Sequence, residues 1–126
     1  MPDVGCVAGL TTVLIVDDDP STRFVLRLIL ERDGHKVLEA GNGAAALDLI
    51  RSDPLPDIVM TDLMMPVMTG IELIRQLRSE PRTAKVHIVV VSSNPEAARS
   101  LGVDAIVTKP FTAAKLADRV RAIAVA

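Results

Sequence analysis

The sequence predicts an α/β domain: a doubly wound, five-stranded parallel sheet with helices on both faces. Three observations carry that prediction. Five short β-rich runs recur along the chain, each followed by a stretch with helical character. The runs are close to continuously apolar, as strands covered on both faces are, and "IVVV" (88–91) shows it best. No linker, repeat or low-complexity segment interrupts them, and 126 residues suffice for one domain with one core.

The elements follow in order. "TVLIV" (12–16) is the first strand. "PSTRFVLRLILERD" (20–33) begins with Pro20 in its first turn and stops at Gly34, the usual asymmetry of helix ends. On a helical wheel Val25, Leu26, Ile29 and Leu30 face its core, and Phe24 and Leu28 lie near the opposite side among Arg23, Arg27, Glu31 and Arg32. "KVLEA" (36–40) is the second strand; "GAAALDLIRS" (43–52) is a helix that Asn42 caps, apolar at Leu47 and Ile50. "DIVMT" (57–61) is the third strand. Thr69 and Glu72 make a capping box at the start of the third helix. "HIVVV" (87–91) is the fourth strand, and "NPEAARSL" (94–101), a cap residue followed by proline, predicts a short fourth helix. Leu101 is the only large apolar anchor of that helix, beside Ala97 and Ala98, so Ser93 to Val103 is expected to be the most mobile part of the domain. "DAIVT" (104–108) is the fifth strand, and Leu116, Val120 and Ile123 form the core stripe of a last helix over 112–124.

Composition excludes several classes. Net charge is −2, which leaves no electrostatic footprint for direct nucleic-acid binding. No apolar run is long enough for membrane insertion, and "MPDVGCVAGL" lacks the regions of a signal peptide. Residues 1–10 read as a loose arm before a domain over 11–126. The lone Cys6 forbids an internal disulfide, suits a reducing compartment and sits in the arm without a role. The Met1 start and the end just past the fifth helix are expected of a stand-alone protein; excision from a larger one is the other possibility.

In sheets of this kind, ligands bind beyond the carboxyl ends of the strands. Asp17 and Asp18 follow the first strand, Asp62 the third, Ser92 the fourth and Lys109 the fifth. Three carboxylates, a hydroxyl and an ammonium would therefore converge on one edge. Clustered carboxylates need protons or a cation, and a hard divalent ion such as Mg²⁺ is the natural partner. Asp62 has the surroundings of a nucleophile toward phosphorus, with Lys109 and Ser92 as its aids.

From Val13 to about Ala124 the chain resembles the receiver domains of two-component response regulators, of the CheY-like single-domain type. "VLIVDDDP", "DIVMTDLMMPVMTG", "IVVVSS" and "VTKPF" stand in that family's order. The resemblance implies a flavodoxin-like sheet of order 2-1-3-4-5. It implies that Asp62 is the phosphoacceptor, that Asp18 binds Mg²⁺ directly and Asp17 chiefly through water, and that the Met64 backbone carbonyl is a further ligand. Ser92 takes the family's hydroxyl role, Lys109 that of the salt-bridging lysine, and Lys109–Pro110 that of a cis peptide bond. A histidine kinase or histidine phosphotransfer protein as donor, an unknown downstream protein and a cytoplasmic setting follow from the same resemblance. So does a partner contact, with the kinase first among candidates, through the first helix at Phe24 and Leu28; the plainer rival is that exposed apolar residues are ordinary.

Each assignment has a plainer rival. Asp17 or Asp18 could cap the first helix, Asp62 could be a loop acid and Lys109 a solvated lysine. Asp19, just before Pro20, reads as a cap rather than a ligand. Strand register prefers Ser92 to Ser93. Met64, Met65 and Met68 read as packing, and His35 and His87 as structural or exposed. Two departures from the family bear on output. Ala105, Ile106 and Val107 stand where a receiver usually has an aromatic residue, and Ser92 to Gly102 is about five residues short, about one and a half helical turns. Three functions stay open: a phosphorylatable receiver, an interaction-only receiver, and an aspartyl-nucleophile phosphatase. The last lacks support, because "DDDPS" offers no second acid-base position.

Overall fold

In the computed structural model, residues 11–52 and 55–124 are described; the arm expected over 1–10, with Cys6, lies outside them. The strands are β1 (Thr12–Val16), β2 (Lys36–Ala40), β3 (Ile58–Thr61), β4 (His87–Ser92) and β5 (Ala105–Thr108). All pairs are parallel, in the order β2-β1-β3-β4-β5. The helices are α1 (Pro20–Arg32), α2 (Gly43–Ser52), α3 (Gly70–Ser79) and α4 (Ala113–Ala124). Asp57 and Asp104, expected at the starts of strands, stand just outside them. Their carboxylates accept the backbone N–H groups of Thr12 (2.8 Å) and Ile88 (2.7 Å) at the opposite edge from the acids after β1 and β3.

Local chemistry sets the helix ends. Asp19 caps α1, accepting from Ser21 N–H (3.1 Å) and the Thr22 hydroxyl (2.7 Å), with Pro20 behind it. Asn42 Oδ1 accepts from Ala45 N–H (2.8 Å) to start α2. Thr69 and Glu72 form the full capping box of α3. Gly34 ends the α1 connection at φ +91°, in the left-handed region.

The fourth helix differs from expectation. Pro95–Ala98 forms a single 3₁₀ turn rather than a helix over 94–101. The Asn94 side chain makes no cap bond there, and the Arg99 and Leu101 N–H groups reach back three residues, to Glu96 and Ala98. So short a segment cannot recover the cost of nucleating an α-helix.

Each sheet face carries a core. Leu14, Val16 and Val59 pack with α2, α3 and the 3₁₀ turn, whose Ala98 is buried; Val13, Ile15 and Met60 pack with α1 and α4. Leu73, Ile74 and Leu77 fix α3, each worth roughly 1.5–3 kcal/mol of transfer as an upper estimate. Leu26 and Leu30 do the same for α1, with Ile29 partly buried. Val25, expected in the core, is 45% exposed. It lines a groove of about 510 Å³ between α1 and α4, with Leu28, Ile29, Arg32, Phe111 and Ala113. The two helices do not close over it, so one flank of the α1 stripe stays open. His35 is buried, and His87 is exposed beside Asp104 (3.4 Å). Among the described residues, no helix is long and apolar enough to cross a membrane.

Candidate functional site

Strand register builds the site. Val16 lies opposite Thr61, so Asp17 and Asp62 leave the sheet side by side; Ser92 lies opposite Thr108, so Lys109 follows on the same edge. One carboxylate oxygen each from Asp17, Asp18 and Asp62 falls within 4.8 Å of the others. Lys109 Nζ donates to Asp62 Oδ2 (3.0 Å) and Asp17 Oδ2 (3.3 Å). The other oxygen of Asp62 accepts from Leu63 N–H (2.6 Å), with Met64 N–H at 3.4 Å. Asp17 Oδ1 accepts from Asp19 N–H (2.9 Å). The capping rival is thereby divided: Asp19 caps α1, and Asp17 and Asp18 belong to the cluster.

The electrostatics are unbalanced. Asp17 is 2% exposed, and burial pushes its carboxyl above the ordinary 3.8. The Asp19 N–H and Lys109 pull it down, and the charge of Asp62 pushes it up again. Burial likewise pulls the Lys109 ammonium down, but its bonds to Asp62 and Asp17 outweigh this and hold it above 10.5. The directions differ in cause: burial dominates at Asp17, which shares one cation with a neighbouring carboxylate, whereas at Lys109 two anionic partners outweigh burial. One ammonium cannot neutralise three carboxylates, so the donor set suits a hard divalent cation.

Ser92 is buried at the edge, and its hydroxyl accepts from Asn94 N–H (3.1 Å); among the described residues it makes no bond to the cluster. The Lys109–Pro110 bond is cis. Met65 is packed, but Met64, read as packing, is 70% exposed beside the acids. The loop projects it outward: Val67 takes φ +71° and is 82% exposed, and Met68 N–H bonds to the Pro66 carbonyl (2.9 Å) around it. A β-branched residue is rare and strained in that conformation.

Sequence reading gave Gly70 no role beyond its place in a motif. A Cβ there would lie 1.9 Å from the Asp62 carbonyl oxygen and 2.8 Å from Leu63 Cα. The Thr61 hydroxyl donates to that same carbonyl (2.7 Å). The β3–α3 loop thus seats α3 directly against the Asp62 main chain. The available signal was a glycine at a first helical turn, where alanine is the better helix former.

The chain is similar to known proteins in sequence and in fold. The transcriptional regulatory protein CseB of Streptomyces coelicolor is 36% identical over 122 residues, covering 93% of this chain and 50% of that one. The chain spans about half the length of such curated relatives. Among solved structures, a response regulator receiver protein from Pseudomonas putida superposes with a TM-score of 0.81 at 30% identity, covering 90% of this chain and 97% of that one. The response regulator TrrA of Thermotoga maritima, in complex with Mg²⁺-BeF, gives 0.80 at 27%, covering 90% and 99%. Residues 13–121 match the response regulator receiver domain model, and the chain, with its acids and lysine gathered on the expected sheet edge, belongs to that family of two-component signalling domains.

Proposed function

We propose that the domain takes a phosphoryl group onto Asp62 from a histidine kinase or histidine phosphotransfer protein, in the cytoplasm, and thereby changes which protein it binds. The observation that carries this reading is the Lys109 ammonium bridging Asp62 and Asp17, with the Asp18 carboxylate beside them. An Asp62 oxygen forms the new bond to phosphorus as the phosphorus–nitrogen bond of the donor breaks. Lys109 gives up part of its pairing with the carboxylates to meet the phosphoryl oxygens, and the Ser92 hydroxyl, free as a donor, meets another. Asp17, Asp18, Asp62 and the Met64 carbonyl would hold Mg²⁺, which places positive charge on the transferring group. The likeness to a regulator solved with Mg²⁺-BeF supports that choice of cation.

For the donor, we place the contact on α1, where Phe24, Val25 and Leu28 are exposed. A second cavity lined by Ser21, Thr22, Val25, Lys109, Pro110 and Phe111 shares Val25 and Phe111 with the α1–α4 groove, so this surface runs up to Lys109, the partner of the acids. Mass spectrometry after treatment with a small phosphodonor and Mg²⁺ should show one added phosphate on the wild type and none on Asp62→Asn; equal labelling would refute the assignment. Phe24→Ser with Leu28→Ser should keep this labelling and lose transfer from a kinase. If kinase transfer is unchanged, α1 is not the docking face.

For output, Ile106 is stiff at χ1 and cannot replace a swinging ring. We assign the signal to Ser93–Val103, which holds one 3₁₀ turn. Its amides should exchange hydrogen fastest among the internal segments and slow on addition of beryllofluoride and Mg²⁺. Strong protection of 94–101 without ligand, unchanged with it, would direct the search for the output elsewhere.

A further inference from the structure

We propose that Arg23 is a positioning residue for the cation site, acting through the Asp17 main chain, with Glu39 as its anchor. The proposal rests on the Mg²⁺ reading above. Arg23 Nη1 donates to the Asp17 carbonyl at 2.6 Å, and its Nε donates to Glu39 Oε1 at 3.0 Å. Both side chains are partly buried. The Asp17 N–H is held from β2, by the Ala40 carbonyl at 3.2 Å. The Asp17 residue is therefore gripped on its amide side by the sheet and on its carbonyl side by a guanidinium. That carbonyl belongs to the peptide group joining Asp17 to Asp18. Fixing its plane fixes the origin of both carboxylates.

Charge alone argues the other way, which makes the proposal decidable. A guanidinium beside the cluster repels a divalent cation. Glu39 offsets that charge and aims the fork; an ammonium could not bond carbonyl and carboxylate in one rigid plane. If Arg23 acted only by charge, removing it would tighten cation binding. If it positions the acids, removing it weakens binding despite the lost repulsion. Arg27 supplies the control. It also pairs with Glu39, and with Glu31 and the Val37 carbonyl, but bonds to none of the acids.

The experiment titrates Mg²⁺ alone into the full chain by calorimetry, with thermal unfolding in EDTA as a measure of the fold. Asp18→Ala should abolish the binding seen in the wild type. Arg23→Met should weaken Mg²⁺ about tenfold, the low end of what losing a partner of a metal ligand costs. Arg27→Met should stay within about twofold of wild type while losing comparable stability in EDTA, since it gives up the same anchor. Arg23→Lys keeps the charge and loses the fork; it should also weaken binding, and it serves where Arg23→Met does not fold. Wild-type or tighter affinity in both Arg23 variants overturns the proposal, as does an equal loss in Arg27→Met. A wild type with no Mg²⁺ binding for Asp18→Ala to remove shows instead that the cation reading has failed, and the positioning role with it.

Discussion

Gly70→Ala is expected to lower the unfolding midpoint by about 12 °C, a loss of about 3 kcal/mol at the upper end of overpacking costs. The added methyl would meet the Asp62 carbonyl oxygen, the Asp62 carbonyl carbon and Leu63 Cα, all backbone atoms and all within 3 Å. None can rotate away, so either α3 or the end of β3 must move. The Gly70 N–H to Leu63 carbonyl bond (2.9 Å) ties the two together and leaves little slack. Because the displaced atoms belong to Asp62 itself, labelling by a small phosphodonor should fall with stability. Gly43→Ala is the comparison: its nearest contacts are Met68 Cγ, Cβ and carbonyl oxygen, at 2.8, 2.9 and 3.0 Å, so the loop at Met68 must shift, but none is as close as the 1.9 Å approach at Gly70 and none belongs to Asp62. Its cost should be smaller and its labelling close to wild type. Thermal unfolding and mass spectrometry of both variants check this; equal losses would show that the approach of α3 to Asp62 has no special consequence.

Replacing Lys109 by methionine should slow phosphorylation by about 100-fold, the usual scale for removing one preorganised charge donor. In EDTA at pH 7 it should also cost about 2 kcal/mol, below the 3–5 of a fully buried pair because Lys109 is 26% exposed. The deficit should depend on pH with a definite sign. Asp17 is held above its ordinary 3.8 by burial even with Lys109 present. Without the ammonium it rises further, so acid protonates the folded variant earlier than wild type and removes the unpaired charge. The difference between the two proteins should therefore shrink as pH falls from 7 through the raised Asp17 range. At the alkaline end the wild type should lose the lysine's contribution, which is fully present below 10.5 and disappears as pH rises through the higher folded value. Mg²⁺ should stabilise the variant more than the wild type, because no internal cation competes for the carboxylates. A pH-independent deficit, or an unchanged Mg²⁺ response, would contradict this account of Lys109.

What the residues determined by themselves was whatever depends on near neighbours in the chain. The caps at Asp19, Asn42 and Thr69 act within three residues, and each was readable for that reason. The apolar runs marked the strands, and the rule that ligands gather at strand carboxyl ends made Asp17, Asp18, Asp62, Ser92 and Lys109 one group before any distance was known. What only the tertiary structure decided joins distant parts. Arg23 looked like a solvated charge on a helix face until Glu39, 16 residues on, brought it over the Asp17 carbonyl. Gly70 looked like an indifferent start to α3 until the loop folded it onto Asp62. Val25 fitted the periodicity of a core face, but α4 packs against only part of α1 and leaves that flank open to the groove. Local pattern also could not settle the segment after β4. A cap residue and a proline permit a helix to begin, but its survival depends on the length and burial behind it. Here one buried alanine stands behind a single 3₁₀ turn, which the Arg99 and Leu101 N–H bonds prolong by only a few residues.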